Sequence, residues 1–327
     1  MKIGLRLPSF ALGEGTASLA RMGAYLRHAE DLGFETALLI DHLLVARPAY
    51  RVAWLEPVAL LAALAGVTRT IRLGTMVLVL PFRDPVAFAK EWATLDVLSG
   101  GRSILGVGVG WNEAEFEALR IPYRERGRRT TEMLEAITLL WSGDGVSYEG
   151  EFYRFRGLSL EPKPIQRPHP PIWVGGGTQP SERIYGQVVT SIELVLRRIA
   201  RYATTWVPHS SATAEMVAAD LDAIHGYMAE LGRRPDELSK VYSNFIHVLA
   251  PGEAPDAAAP FFSVYSGMDL DYWRRFYLLG EAEAVAERIR AKIDALGGVD
   301  HLVLNPLDWD PRRLDVLAER VLPLVTG

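Results

Sequence analysis

Between residues 71 and 112 the chain changes hydrophobic rhythm twice. Ile71, Leu73 and the run from Met76 to Leu80 are almost continuously apolar, which suits a strand buried on both faces of a parallel sheet. Pro81 ends the run. Asp84 followed by Pro85 reads as an N-cap and the residue best tolerated at the first helical position, so a helix is predicted over residues 86–98. Ser99, Gly100 and Gly101 stop it, and residues 103–109 return to strand. Such a unit is a parallel strand pair with its crossover helix, and both strands end on one side of the sheet. Glycines at alternate positions, Gly106, Gly108 and Gly110, strip one face of the second strand, and another backbone or a flat ligand must fill that space.

The same rhythm runs through the rest of the chain. Strands are predicted over residues 2–7, 35–40, 172–175, 205–207, 241–249 and 301–304. Helices are predicted over 18–32, 57–66, 113–119, 126–141, 195–203, 214–231, 281–296 and 311–324. Strands alternating with helices define an α/β fold, and their number points to a single (β/α)8 TIM barrel over residues 1–327. A doubly wound open sheet is the alternative, disfavoured by the strand count and the chain length. Three stretches exceed a minimal barrel and read as insertions: 143–171, 179–194 and 250–279. The first suggests a hairpin or lid. The last ends in a run of aromatics, including Phe261, Phe262, Tyr272, Trp273 and Tyr277, which fits either an apolar pocket or a subunit contact.

Composition narrows the chemistry. A net charge of -5 and a pI near 5.9 argue against a nucleic-acid partner. There is no cysteine, so disulfides and thiolate catalysis are excluded. The first residues are already strand-like, with no leader pattern, and no apolar run is long enough for a membrane span. A cytoplasmic location is the resulting expectation. No His/Asp/Glu spacing makes a metal site, and neither a nucleophile elbow nor a Walker sequence is present.

Four stretches, in order, span nearly the whole chain from residue 35 to residue 307: ETALLIDHLL, GTMVLVLPFRDPVAFAKEWATLDVLSGGRSILGVGVGWNEAEFEALRIPYRERGRRTTEMLEAITLLW, FRGLSLEPKPIQRPHPPIWVGGGT and GGVDHLVLNPL. Together they resemble the bacterial luciferase-like superfamily of flavin- and deazaflavin-dependent oxidoreductases. The resemblance implies a (β/α)8 barrel holding an isoalloxazine-type ring at the C-terminal ends of its strands. Asp41-His42 and the segment from Arg126 to Arg129 look nearest the branch that depends on coenzyme F-420. FMN-dependent relatives often carry a tyrosine in the latter region.

The resemblance also implies roles. Asp41 would hydrogen-bond the ring system, and His42 would lie near the reacting carbon, where a near-neutral imidazole suits proton transfer. A His–Asp pair that merely caps the strand is the plain alternative. Met76 and Val77 match a place where deazaflavin relatives form a non-proline cis peptide that bulges behind the ring; an ordinary trans peptide is the alternative. Gly108 and Gly110 would let ring and backbone approach, and Trp111 would wall an apolar substrate pocket, unless it is simply packed. Some deazaflavin-dependent sugar-phosphate dehydrogenases carry a glutamate at the position of Trp111, and its absence argues against that activity. Gly175, Gly176, Gly177 and Thr178 offer backbone N–H groups to a phosphate, with Ser210 and Ser211 as further donors; a tight turn and a helix cap are the alternatives. The arginines at 124, 126, 128 and 129 read as a solvated helix start or as partners for an acidic coenzyme tail.

The function so implied is hydride transfer between F-420 and a small organic substrate. The alternatives are a two-component FMN-dependent monooxygenase and a flavin-binding barrel without catalysis. The implied partners are a small-molecule substrate, a flavin or F-420 reductase, and a second copy in a homodimer.

Overall fold

Eight short apolar segments pair in chain order, and the last returns to the first. In the computed structural model, which describes residues 1–11, 18–45, 51–179, 192–250, 252–254, 256, 259, 262 and 270–327, they are β1 (Lys2–Arg6), β2 (Thr36–Leu39), β3 (Arg72–Thr75), β4 (Ser103–Gly108), β5 (Ile172–Gly175), β6 (Thr205–Val207), β7 (Ser239–Val248) and β8 (His301–Asn305). Every neighbouring pair is parallel, and Lys2 against His301 closes the ring between β1 and β8. The fold is therefore a (β/α)8 barrel, as the alternating rhythm implies.

Alternation along each strand sorts the core into two layers. Leu5, Leu39, Leu73, Leu105, Val174 and Leu302 point outward and pack under the helices. Leu38, Met76, Ile104, Trp173, Val207, Val241 and Val303 form a separate cluster inside the barrel. At its lower end the His301 ring lies 4.9 Å from the Trp173 ring. Burial, with the nearby positive charge of Lys2, pushes the His301 imidazole down to about 4.

The helices begin where the caps say they should. Asp84 accepts from Val86 at 2.9 Å and Ala87 at 3.1 Å, and Pro85 opens the helix Pro85–Leu98. Strands β5 and β6 coincide with the predicted spans. The stretch 143–171 contains an antiparallel hairpin, Val146–Glu149 with Arg154–Leu158. In 250–279 the described part includes the helix Leu270–Phe276, and the following strand, Leu278–Gly280, pairs with β7. Most of the stretch 179–194 lies outside the described residues, and the helix predicted from 195 begins earlier, at Ile192. No helix among the described residues is long and apolar enough to cross a membrane.

The apolar run 71–80 is the main departure from the predicted elements. It is not one strand. β3 ends at Thr75, the peptide Met76–Val77 is cis, Leu78–Val79 pairs separately with β4, and Leu80–Phe82 is a 3-10 turn. The glycines of β4 make this possible. A Cβ on Gly106 would lie 1.8 Å from the Thr75 carbonyl oxygen, and one on Gly108 would lie 2.5 Å from the Val77 side chain.

Candidate active site

The C-terminal ends of β1 to β8 share one mouth, and His42 sits at its rim just beyond β2, nearly buried at 7% exposure. Its Nδ1 lies 3.3 and 3.4 Å from the two carboxylate oxygens of Glu115. Glu115 is itself buried, and its Oε1 accepts from the backbone N–H groups of Leu43 at 2.7 Å and Leu44 at 3.0 Å. The carboxylate thus ties the loop after β2 to the helix Glu113–Ala118 and orients the imidazole. Two indoles flank it: Trp54 with ring centroids 5.7 Å away, and Trp111 at 5.6 Å, edge-on. The Trp111 carbonyl in turn accepts from Tyr123 Oη at 3.0 Å.

Asp41 points elsewhere. Its Oδ2 accepts from the Val79 N–H at 2.9 Å and from Arg83 at 2.7 Å, and Oδ1 from the second Arg83 nitrogen at 3.4 Å. Arg83 also reaches Glu56 at 2.9 Å. Burial alone would lower the Arg83 pKa, but Asp41 and Glu56 more than offset this and raise it. Asp41 therefore pins the segment after the Met76–Val77 bulge to the end of β2.

The stripped face of β4 is filled from within. The Val77 side chain enters the space above both Gly108 and Gly175, where a Cβ would lie 2.5 and 2.8 Å from its methyl carbons. Beside Gly110, whose φ is +77°, Val79 and Phe116 occupy the corresponding space. Gly106 faces backbone, and Gly108 and Gly110 face protein side chains. The bulge at Met76 and Val77 is thus what the glycine ladder accommodates, and the small half-buried face of Val77 becomes the wall of the mouth.

The loop after β5 is tied back as well. The Thr178 N–H and hydroxyl both donate to Asp220, at 2.6 and 2.7 Å. The Trp206 indole donates to the Gly176 carbonyl at 2.7 Å. Gly176 and Gly177 have φ of +142° and +131°, and a Cβ on Gly177 would lie 2.8 Å from Asp220. The triple glycine therefore meets three packing demands: Gly175 from Val77, Gly176 from Val195, and Gly177 from Asp220 and Trp206. Beyond β6, the Ser211 hydroxyl lies 2.6 Å from His209 Nδ1, and Ser210 is half-buried on the same turn.

Positive charge gathers beside this loop. Of the arginines singled out in the sequence, Arg128 pairs with Glu151 and Arg129 with Glu125. Arg126 stacks on Tyr123 at 3.8 Å, and Arg198 from the helix Ile192–Tyr202 reaches the Gly127 carbonyl at 2.6 Å. Neither Arg126 nor Arg198 has a carboxylate partner among the described residues, and each keeps one buried N–H, Nε of Arg126 and Nη1 of Arg198, without an acceptor. Burial lowers the Arg198 guanidinium to about 10. Two cations with unused donors, the half-buried Arg126 at the start of one helix and the buried Arg198 reaching the same turn, suit an anionic group.

A second imidazole–carboxylate pair lies on β7. His247 Nε2 is 3.4 Å from Glu253, which also accepts from Arg313 at 2.8 and 3.0 Å. Hydrogen bonding from Arg313 holds Glu253 at about 2. Burial first, and then Arg313, lower the His247 pKa.

With this geometry in hand, comparison with known proteins identifies the family. The chain belongs to the luciferase-like monooxygenases, whose family model matches residues 1–300, and it is an enzyme of that family. It is 32% identical over 180 residues to an FMNH2-dependent dimethylsulfone monooxygenase of Pseudomonas putida, covering 54% of this chain and 45% of that protein. It is 27% identical over 273 residues to the oxygenase component of a flavin-dependent trigonelline monooxygenase of Acinetobacter baylyi, covering 74% and 72% of the two chains. An F-420-dependent secondary alcohol dehydrogenase, crystallised with an F-420–acetone adduct, shares the fold over 100% of this chain and 99% of its own, with a TM-score of 0.79 at 18% identity.

The sequence pointed to His42, Asp41 and Trp111, and the structure brings His42 and Trp111 together while turning Asp41 towards Arg83. It missed Glu115, Arg83, Asp220 and Arg198. Glu115 is one of three alternate glutamates in EAEFEA, and only the folded chain shows that Glu113 and Glu117 are exposed while Glu115 is buried.

Proposed function

We propose that this protein is the oxygenase component of a two-component system, using reduced FMN to oxygenate a small organic substrate in the barrel mouth. The observation that carries the reading is His42, held by Glu115 between Trp54 and Trp111 on the rim above the Val77 wall. The two sequence relatives, both named as flavin-dependent monooxygenases, support FMN as the coenzyme. One of them is named as an oxygenase component, which supports a separate reductase as partner.

The residues fit a flat, phosphate-bearing coenzyme. The small apolar face of Val77 between Gly108 and Gly175 suits an aromatic ring, and the unused N–H groups of Arg126 and Arg198 suit a phosphate. The chemistry supplied by such a coenzyme when bound is electron transfer to dioxygen. The chain's own part is positioning and proton handling. Donation from His42 Nδ1 to Glu115 fixes the tautomer and puts the basic lone pair on Nε2, where a proton is taken up or delivered. Trp54 and Trp111 keep water from that nitrogen. Asp41, through Arg83 and Val79, holds the bulge in place.

Coenzyme F-420 is the second reading. It is favoured by the whole-chain likeness to the F-420-dependent dehydrogenase and by Arg124, which is exposed, has no acidic partner among the described residues and could meet a longer acidic tail. Anaerobic titration of the protein with reduced FMN and with F-420, followed optically, separates the two. The expected result is saturable binding at least tenfold tighter for reduced FMN, weakened about tenfold or more in Arg126→Gln, as loss of a charge-assisted phosphate contact implies. Tighter binding of F-420 selects the second reading, and binding of neither overturns both.

A further inference from the structure

Arg6 places a cation in the barrel mouth that nothing described so far uses. Leu5 is fully buried under the helices, so the neighbouring Arg6 at the end of β1 faces the barrel interior. Its guanidinium carbon lies 4.6 Å from the centroid of the Phe245 ring on β7. Among the described residues it has no carboxylate within ion-pair reach and no hydrogen-bond acceptor. Among the described residues, two acids at the rim are committed, Asp41 to Arg83 and Glu115 to His42, Leu43 and Leu44. Arg6 is half-buried, and stacking on a phenyl ring leaves its five N–H donors to the water of the mouth. A cation so placed, with no acid paired to it among the described residues, can exchange that water for an anion from outside.

The surroundings define the rest of that ligand. Phe245 belongs to an aromatic cluster with Phe10, Phe262, Trp273 and Tyr277, and Trp54 and Trp111 pack against the same cluster. Those two indoles are the ones that flank His42. The same aromatic cluster therefore underlies both Arg6, through Phe245, and His42, through the half-buried Trp54 and Trp111. Asn305 on β8, opposite Phe245 in register, adds a neutral polar side chain hydrogen-bonded to Ser243 at 3.2 Å.

We infer that the substrate is a monocarboxylate with an apolar body, its carboxylate held in the planar fork of Arg6 and its hydrocarbon laid against Trp54 and Trp111, with the far end towards His42. This deepens the oxygenase reading and rests on it for the reacting end alone. A carboxylate matches the fork with two parallel N–H···O bonds, which a neutral amide of the same shape cannot do.

The test is calorimetric titration of wild type, Arg6→Gln and Arg6→Lys with matched acid and amide pairs: benzoate and benzamide, hexanoate and hexanamide, cyclohexanecarboxylate and its amide. Wild type is expected to bind at least one acid tenfold or more tighter than its amide. Arg6→Gln is expected to erase that preference while leaving amide binding unchanged, and Arg6→Lys to retain part of it. No acid preference in wild type, or a preference that survives in both variants, overturns the inference. The optical titration with reduced FMN and F-420 is repeated on each variant. Loss of coenzyme binding with the acid preference intact would make Arg6 a coenzyme ligand and also overturn it. An Arg6-dependent acid preference in a protein that binds neither coenzyme would instead leave the inference standing and remove the oxygenase reading.

Discussion

His42 and His247 sit just beyond β2 and on β7, are both nearly buried, and each faces a glutamate at 3.3–3.4 Å. They differ in what else that glutamate holds. Glu115 spends its remaining capacity on two backbone N–H groups, and among the described residues no Lys or Arg pairs with it. Glu253 is taken by Arg313, whose charge also faces His247 and, with burial, disfavours the imidazolium. We propose the first pair as a proton-handling device; the second is part of a structural clamp. The neighbours of the carboxylate decide which.

The largest effect that could break this comparison is on turnover. His42→Ala is expected to lower turnover by about 10²- to 10⁴-fold, the usual worth of a positioned acid–base group, with coenzyme binding retained. His247→Ala should leave turnover within about threefold of wild type, since no such group is lost. Equal losses in steady-state assays would erase the distinction. Next come the carboxylates. Glu115→Gln is expected to cost about 10- to 100-fold in turnover by loosening the tautomer and orientation of His42. Glu253→Gln should instead cost about 2 kcal/mol in urea unfolding by leaving Arg313 with a weakened partner.

A smaller, pH-dependent effect separates both from the bottom of the barrel. The imidazole of His301 titrates at about 4 in the folded chain against an ordinary 6.5, so the folded state resists its protonation. Its contribution to stability is complete above pH 6.5 and is lost as the pH falls towards 4, by up to about 3 kcal/mol. Unfolding curves of wild type and His301→Leu are expected to converge by that amount over this window. Parallel curves would show that His301 is not held neutral against Trp173.

Much of the fold was legible because each βα unit carries its own punctuation. Asp84-Pro85 and Ser99-Gly100-Gly101 bound a helix chemically, and β5 and β6 are short runs set between clear breaks. The break after Thr75 was not legible from rhythm, since residues 76 to 80 are as apolar as those before them; only resemblance pointed to Met76 and Val77. The partners of the site were hidden for a different reason. Glu115 lies 73 positions from His42, and Asp220 lies 42 from Thr178, so only barrel closure makes them neighbours. The triple glycine illustrates the converse. It reads naturally as a phosphate cradle, and the folded chain adds that packing against Val77, Val195, Asp220 and Trp206 also requires glycine there.

The central claim is that the mouth above Val77, with His42 at its rim, holds the coenzyme ring. A crystal structure of the protein with FMN bound tests it most directly. The account predicts the ring in van der Waals contact with the Val77 side chain, its reacting edge within hydrogen-bond reach of His42 Nε2, and its phosphate on Arg126 and Arg198. A ring bound outside the barrel mouth, or with His42 turned away on Glu115 and out of reach, would contradict it.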